Sequence, residues 1–344
     1  MNLQIAVLLG QDGITNGAIY ALLALSILLV FSVTRILMIP QGEFVAFGAL
    51  TMGAIQAGKP SAVVWVLVGL CAASACVDVV QLLRDRKRAS PGWLAAKLVY
   101  SAVMVALVYT LPLATLAMPL QIALTLALLV PLGPLMYRLV FQPIASASAL
   151  VLLIVSIALH LALVGIGLLV FGPDGARTLP FTDTGLEFGI IRLNSQTLWV
   201  IAVSVLLIVA LYLMFERTVY GKALRAAAMN RMGARLMGIS PVFAGKATFF
   251  LAALIGVMSG VLIAPMTTLY YDSGFLISLK GFVGSIIGGL VSYPVAAAGA
   301  VLVGLIEAYS AFWASTYKEV IVFTLIIPVL IWRSLHSRHV EEEE

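Results

Sequence analysis

The chain has 344 residues, 62% of them hydrophobic and only 10% charged, with a mean hydropathy of +1.11, whereas about a quarter of a typical soluble domain is charged. A soluble fold of this size covers its exposed surface with polar groups that this chain lacks, so lipid is the solvent for most of it. The net charge of +5 does not indicate nucleic acid, because Lys and Arg fall in short clusters between apolar runs rather than on one basic face.

About 20 apolar residues cross a bilayer as a helix. That rule predicts spans near 13–34, 41–58, 61–81, 95–113, 115–138, 148–171, 197–215, 245–266, 276–292, 295–313 and 316–333. The expected fold is an all-α, polytopic transmembrane helical bundle of roughly 8–11 membrane segments, some short or broken, forming a single domain over 1–344. The first run is followed by Arg35 and further spans, which marks it as a retained helix rather than a cleaved signal.

Between the first two spans, Arg35 to Glu43 (RILMIPQGE) interrupts the apolar pattern. Pro40 removes a backbone donor and disfavours helix at Ile39, and Gly42 loosens the chain further. Such a break at membrane depth survives only where protein or a water-filled cavity meets the freed backbone groups. Cys71 and Cys76 lie within one apolar run at a spacing unsuited to a disulfide, and are expected to be packing residues. His160, alone within a span, fits either a proton relay or a histidine hydrogen-bonded between helices.

Orientation follows from the enrichment of Lys and Arg on the cytoplasmic side. Arg84, Arg86, Lys87 and Arg88 form one cluster, Arg217, Lys222, Arg225, Arg231 and Arg235 a second, and Arg333 with Arg338 a third. The predicted spans put all three on one side and the N-terminus outside. Segments 82–94, 216–243 and the tail 334–344 are then cytoplasmic, and the polar, turn-rich segment 172–196 is external, either a docking surface for an external partner or an ordinary exposed loop.

Catalytic signatures are missing: there is no HExxH, no GxSxG and no paired intramembrane carboxylate motif. The stretch Gly238 to Ala247 (GISPVFAGKA) has the wrong spacing for a nucleotide-binding loop, and Ala247 stands where the metal-binding hydroxyl belongs. If transport is ATP-driven, the motor is another polypeptide. A second irregular stretch, Leu279 to Pro294, gathers Gly281, Gly284, Gly288 and Gly289, with a small-xxx-small spacing suited to close helix approach.

A pair of Gly/Pro-interrupted segments, one per half, is the sequence pointer to a transport pathway. Gln41, Gly42 and Glu43 in the first, with Lys280, Gly281, Gly284 and Gly288 in the second, are the candidate pathway residues. Glu43 and Lys280 are either polar lining groups or side chains snorkelling to water. The Ala/Met/Arg-rich stretch 216–240 places Met229, Met232 and Leu236 at i, i+3 and i+7, the pattern of an amphipathic helix lying on lipid or in a partner's groove.

Four stretches together resemble the permease subunits of branched-chain amino acid ABC transporters of the leucine-isoleucine-valine high-affinity type. They are Gly13 to Leu25 (GITNGAIYALLAL); Gln41 to Glu43 followed by Phe47 to Ala49; Tyr137 to Pro143 (YRLVFQP); and Tyr220 to Ala228 (YGKALRAAA) through Ile239, continuing over Gly256 to Pro265 and Lys280 to Glu307. The resemblance implies an importer of branched-chain or other hydrophobic amino acids in the bacterial inner membrane, without enzymatic activity or cofactor of its own. Its implied partners are cytoplasmic ATP-binding subunits, a second permease subunit (related or identical) and an external solute-binding protein.

The resemblance also implies that Leu224 to Leu236 is the coupling helix seated on the ATPase, with Leu224, Arg225, Ala228, Met229, Met232, Arg235 and Leu236 as contacts. Two departures stand out: Met38 to Gly42 (MIPQG) replaces the family's usual Asn-Phe-Ala-His-Gly, and Gln81 to Lys97 is an added segment. An ion-coupled secondary transporter and a non-transporting membrane scaffold or receptor are the alternatives.

Overall fold

A computed structural model of the chain describes residues 3–85, 91–182, 185–188, 191–290 and 292–336. Arg86, Lys87, Arg88, Arg338 and the tail from 337 onward lie outside the described residues, as do parts of loops 82–94 and 172–196. The elements are α1 (Leu3–Thr34), α2 (Gln41–Gln56), α3 (Val63–Asp85), α4 (Pro91–Thr110), α5 (Met118–Leu129), α6 (Leu132–Met136), α7 (Ala149–Phe171), β1 (Leu186–Phe188), β2 (Ile191–Leu193), α8 (Ser195–Arg217), α9 (Val219–Met229), α10 (Arg231–Leu236), α11 (Pro241–Ile263), α12 (Ser273–Ile287), α13 (Tyr293–Trp313), α14 (Lys318–Thr324) and α15 (Ile326–His336).

The protein is an all-α membrane bundle; the two short strands are an antiparallel hairpin in the loop before α8. Among the described residues eight helical stretches are long and apolar enough to cross a membrane. The other three predicted spans correspond to shorter helices: α2, α4 and α12. At 1.5 Å per residue the 15 residues of α12 reach about 22 Å, short of the roughly 30 Å hydrocarbon core.

Local chemistry sets the helix ends. Ser148, Asn194, Thr218, Asn230 and Ser240 cap α7, α8, α9, α10 and α11 by accepting from backbone N–H groups of the first turn. The stretch from α5 to Ile144 is a composite: Pro131 and Pro134 delete helical donors, and it closes with a π turn at Tyr137–Phe141 and a 3-10 turn at Gln142–Ile144. Cys71 is buried, but Cys76 faces outward to lipid; five residues apart, the two cannot share one helix face.

Of the candidate spans α1 is the most enclosed. On one side it meets α13 antiparallel, where Gly13 and Gly17 lie against Leu305, Gly304 and Val301. The largest apolar cluster lies around α2, α3, α5, α7 and α11, and a second joins α1, α12, α13 and α14.

Contacts sort the helix ends into two faces. On one, Leu29 and Val33 of α1 pack with Leu224, Ala227, Ala234 and Ala244, and Ser32 Oγ lies 3.3 Å from the Tyr293 hydroxyl. Tyr137 of the π turn packs tilted against Phe249 of α11 there, with ring centroids 5.1 Å apart. On the other, Leu179 N donates to Gln56 Oε1 (2.8 Å), Ala176 bridges Leu269, and Gln196 Nε2 donates to the Leu262 carbonyl (2.8 Å). The ends of α3 and α8, from which the first two basic clusters continue, share the first face, here termed the basic face.

Candidate functional site

The gap between α1 and α2 is a built feature. Arg35 closes α1 in the left-handed region (φ 61°), its N–H still bonded to the Phe31 carbonyl at 2.8 Å. Thr34 Oγ1 accepts from Ile36 N (3.3 Å). Ser156 of α7 serves two freed groups at once, donating to the Leu37 carbonyl (2.7 Å) and accepting from Ile39 N (3.1 Å). Two backbone groups of the break are thus satisfied by a neighbouring helix, as membrane depth requires.

The next turn is anchored in two directions. Gln41 Nε2 donates to the Ala252 carbonyl of α11 (2.9 Å), while Glu43, only 2% exposed, lies with Oε1 2.6 Å from His160 Nδ1 of α7. Phe275 of α12 lies over the imidazole, centroids 4.6 Å apart. His160 is therefore hydrogen-bonded between helices. Gly42 meets Gly274 backbone to backbone, so that a Cβ on either would strike the other's carbonyl. The starts of the two short helices α2 and α12 cross at this point.

Along α12 the predicted residues take a different role from lining. Lys280, 6% exposed, pairs with Glu307 of α13. Glu307 Oε2 accepts from the Tyr20 hydroxyl of α1 at 2.6 Å, and the ammonium lies 5.7 Å from the Tyr20 ring centroid. Snorkelling is thus overturned for both Glu43 and Lys280: each has a partner at depth and no route to water is used. Gly281 lies against Leu23 and Tyr20 of α1, and Gly284 and Gly288 lie against Ala300 and Ala296 of α13. These three glycines are helix seams.

The opposite side of α12 is the open one. A small apolar pocket is lined by Ile27, Leu37, Met38, Ile39, Phe275, Ser278, Leu279 and Phe282. It joins the non-helical strand of the first break to the face of α12 turned away from the glycines. None of the seven sequence-predicted pathway residues lines it; they hold the segments that do. No local pattern marks Tyr20 as a partner, whereas Glu307 and His160 were recoverable from the rule that ionisable groups at membrane depth pair with one another.

On the basic face the expected single amphipathic helix is two. Asn230 is extended (φ −149°, ψ 101°) and its side chain caps α10 by accepting from Gly233 N at 2.8 Å. The i, i+3, i+7 spacing of Met229, Met232 and Leu236 therefore does not run on one continuous helix, though all three side chains are exposed, Met229 and Leu236 each at 82%. Leu224 is 2% exposed and packs inward with Leu29 and Val33, so it anchors the unit instead of presenting itself to a partner. Arg225 pairs with Glu216 (2.8 Å), Ala228 is half-buried, and Arg235 is exposed.

A family model for the branched-chain amino acid transport system permease component matches residues 11–330. The chain belongs to this family. Among similar proteins, the high-affinity branched-chain amino acid transport system permease protein LivH of Escherichia coli K12 is 31% identical over 39% of this chain and 44% of its own. BraD of Pseudomonas aeruginosa, a permease protein of the same kind of system, is 27% identical over 57% of this chain and 66% of its own. A probable branched-chain amino acid transport permease LivH of Methanocaldococcus jannaschii is 26% identical over 54% and 63%. The matched stretches thus span less than two thirds of these relatives. In this integral membrane permease component, Glu43 and Lys280 are buried in pairs, and two features stand beside them: the apolar pocket at the break and the exposed Met and Leu side chains of the α9–α10 unit.

Proposed function

We propose that this permease is the membrane-spanning subunit of an ATP-driven importer of branched-chain or other hydrophobic amino acids, working by alternating access in the inner membrane. The observation that carries the reading is the α9–α10 unit. Leu224, Ala227 and Ala234 seat it against α1 and α11, while Met229, Met232, Leu236 and Met237 remain uncovered. Polarizable, flexible Met side chains suit an adaptable protein interface, and the rigid seat would pass a partner's motion to the break through α1. The unit is then the coupling element on the cytoplasmic side, and ATP hydrolysis belongs to a separate subunit.

The translocation route runs past the pocket between the first break and α12. Its apolar lining suits aliphatic side chains, and Gln41, Gly42, Glu43, Lys280, Gly281, Gly284 and Gly288 act by positioning its walls. A second permease subunit completes the route, and an external solute-binding protein docks at 172–196. The test is uptake of radiolabelled leucine, isoleucine and valine by proteoliposomes holding the whole complex, with and without ATP. Accumulation that requires ATP supports the importer; uptake persisting without the ATPase under a proton gradient overturns it.

Met232→Asp with Leu236→Asp should abolish co-purification of the ATPase while the permease stays folded; unchanged co-purification refutes the coupling role. The ion-coupled alternative has one observation in its favour, the carboxylates Glu43 and Glu307 at membrane depth. Each is already matched by a basic partner, which is the arrangement of a structural pair.

A further inference from the structure

The basic face holds a third polar centre, away from the break and from α9–α10. Asp78 near the end of α3 pairs with Lys97 of α4 at 2.5 Å and with Arg138 of the π turn. Lys97 Nζ also donates to Ser74 Oγ (2.7 Å), and Arg138 Nη2 to Gln81 Oε1 (2.8 Å). Lys246 of α11 follows Gly245, which lies directly against the ring of Tyr137, the residue before Arg138. Among the described residues it has no salt bridge of its own. Among the described residues two cations therefore share the Asp78 carboxylate while a third, Lys246, is placed beside them, the four groups coming from four different elements in a half-buried zone near the helix ends.

Two positive charges in excess within a partly desolvated site repel one another unless an anion joins them. At that depth phosphate is the abundant anion, and the flanking surface of α3 and α4, with Val79, Val80 and Leu98 exposed, suits acyl chains. We propose that Lys97, Arg138 and Lys246 bind the phosphate of an anionic glycerophospholipid in the leaflet on the basic face, with Asp78 fixing the geometry of the two cations it touches. The inference is independent of the transport reading.

The full-length chain, purified and delipidated in detergent, is titrated with phosphatidylglycerol, phosphatidylcholine or inorganic phosphate. Bound lipid is counted by native mass spectrometry and thermal unfolding is followed in parallel. Phosphatidylglycerol should be retained and raise the unfolding temperature; phosphatidylcholine should do neither. Lys246→Gln should weaken phosphatidylglycerol binding by about fivefold, the effect of one cation at an anionic surface, Lys246→Arg should restore it, and Lys59→Gln on the opposite face should leave it unchanged.

Equal retention of the two lipids overturns the proposal, as does full binding by Lys246→Gln or an equal loss in Lys59→Gln. Displacement by inorganic phosphate at the lipid's own concentration would show a soluble-anion site instead and also overturns it. The comparison of the three probes on the unsubstituted chain decides the matter should Lys246→Gln not fold.

Discussion

Lys280, Glu307 and Tyr20 tie α12, α13 and α1 together with one ion pair and one hydrogen bond. Both charges are buried, so breaking the pair costs far more than the pair contributes over an apolar replacement. Lys280→Met should destabilise the protein by about 3–5 kcal/mol, read as thermal unfolding in detergent, and the added change Glu307→Leu should recover most of that loss. An ion-coupled transporter would behave differently, since the doubly substituted protein would then be stable yet dead in uptake. The partners of these residues were only partly legible beforehand. Hydropathy marks a charge as being at depth, but the pairing of Lys280 with Glu307 and of Glu43 with His160 depends on which faces of distant helices meet, and no local pattern encodes that.

At the scale of elements, the break after α1 was readable from Pro40 and Gly42 because each acts on its own backbone. The break at Asn230 obeys equally local chemistry: Asn is a preferred cap, and its side chain serves Gly233 N. An apolar periodicity that spans the cap, at Met229, Met232 and Leu236, masks it in the sequence. Asn230→Ala should cost about 1 kcal/mol of local stability, visible as faster amide exchange in α10 with α9 unchanged. The crossing of α2 and α12 allows a sharper test. Gly42→Ala places a methyl group against the Gly274 carbonyl, with no side chain there to move aside. Marked loss of thermal stability is expected, whereas Gly165→Ala, with open space around it, should be neutral.

For the whole molecule, the order of the apolar segments was legible but their number was left at roughly 8–11, because α2, α4 and α12 are shorter than the eight stretches long and apolar enough to cross among the described residues. The two-faced arrangement of helix ends agrees with the distribution of basic residues, a property of the entire chain that no one helix carries. In a background with Cys71 and Cys76 replaced by Ser, Lys59→Cys and Lys222→Cys place thiols at exposed positions on opposite faces. A membrane-impermeant maleimide applied to intact cells should label the first and reach the second only after permeabilisation; the reverse pattern would invert the orientation.

The Gly42–Gly274 crossing also has a mechanical meaning. Side chains that touch can absorb a small displacement by changing rotamer, but two peptide planes in contact have no such soft coordinate. A tilt of α12 must therefore either carry the start of α2 with it or part the two helices outright. The halves of the bundle are geared at that point, and the pocket wall formed by Leu37, Met38 and Ile39 lies immediately upstream of the tooth.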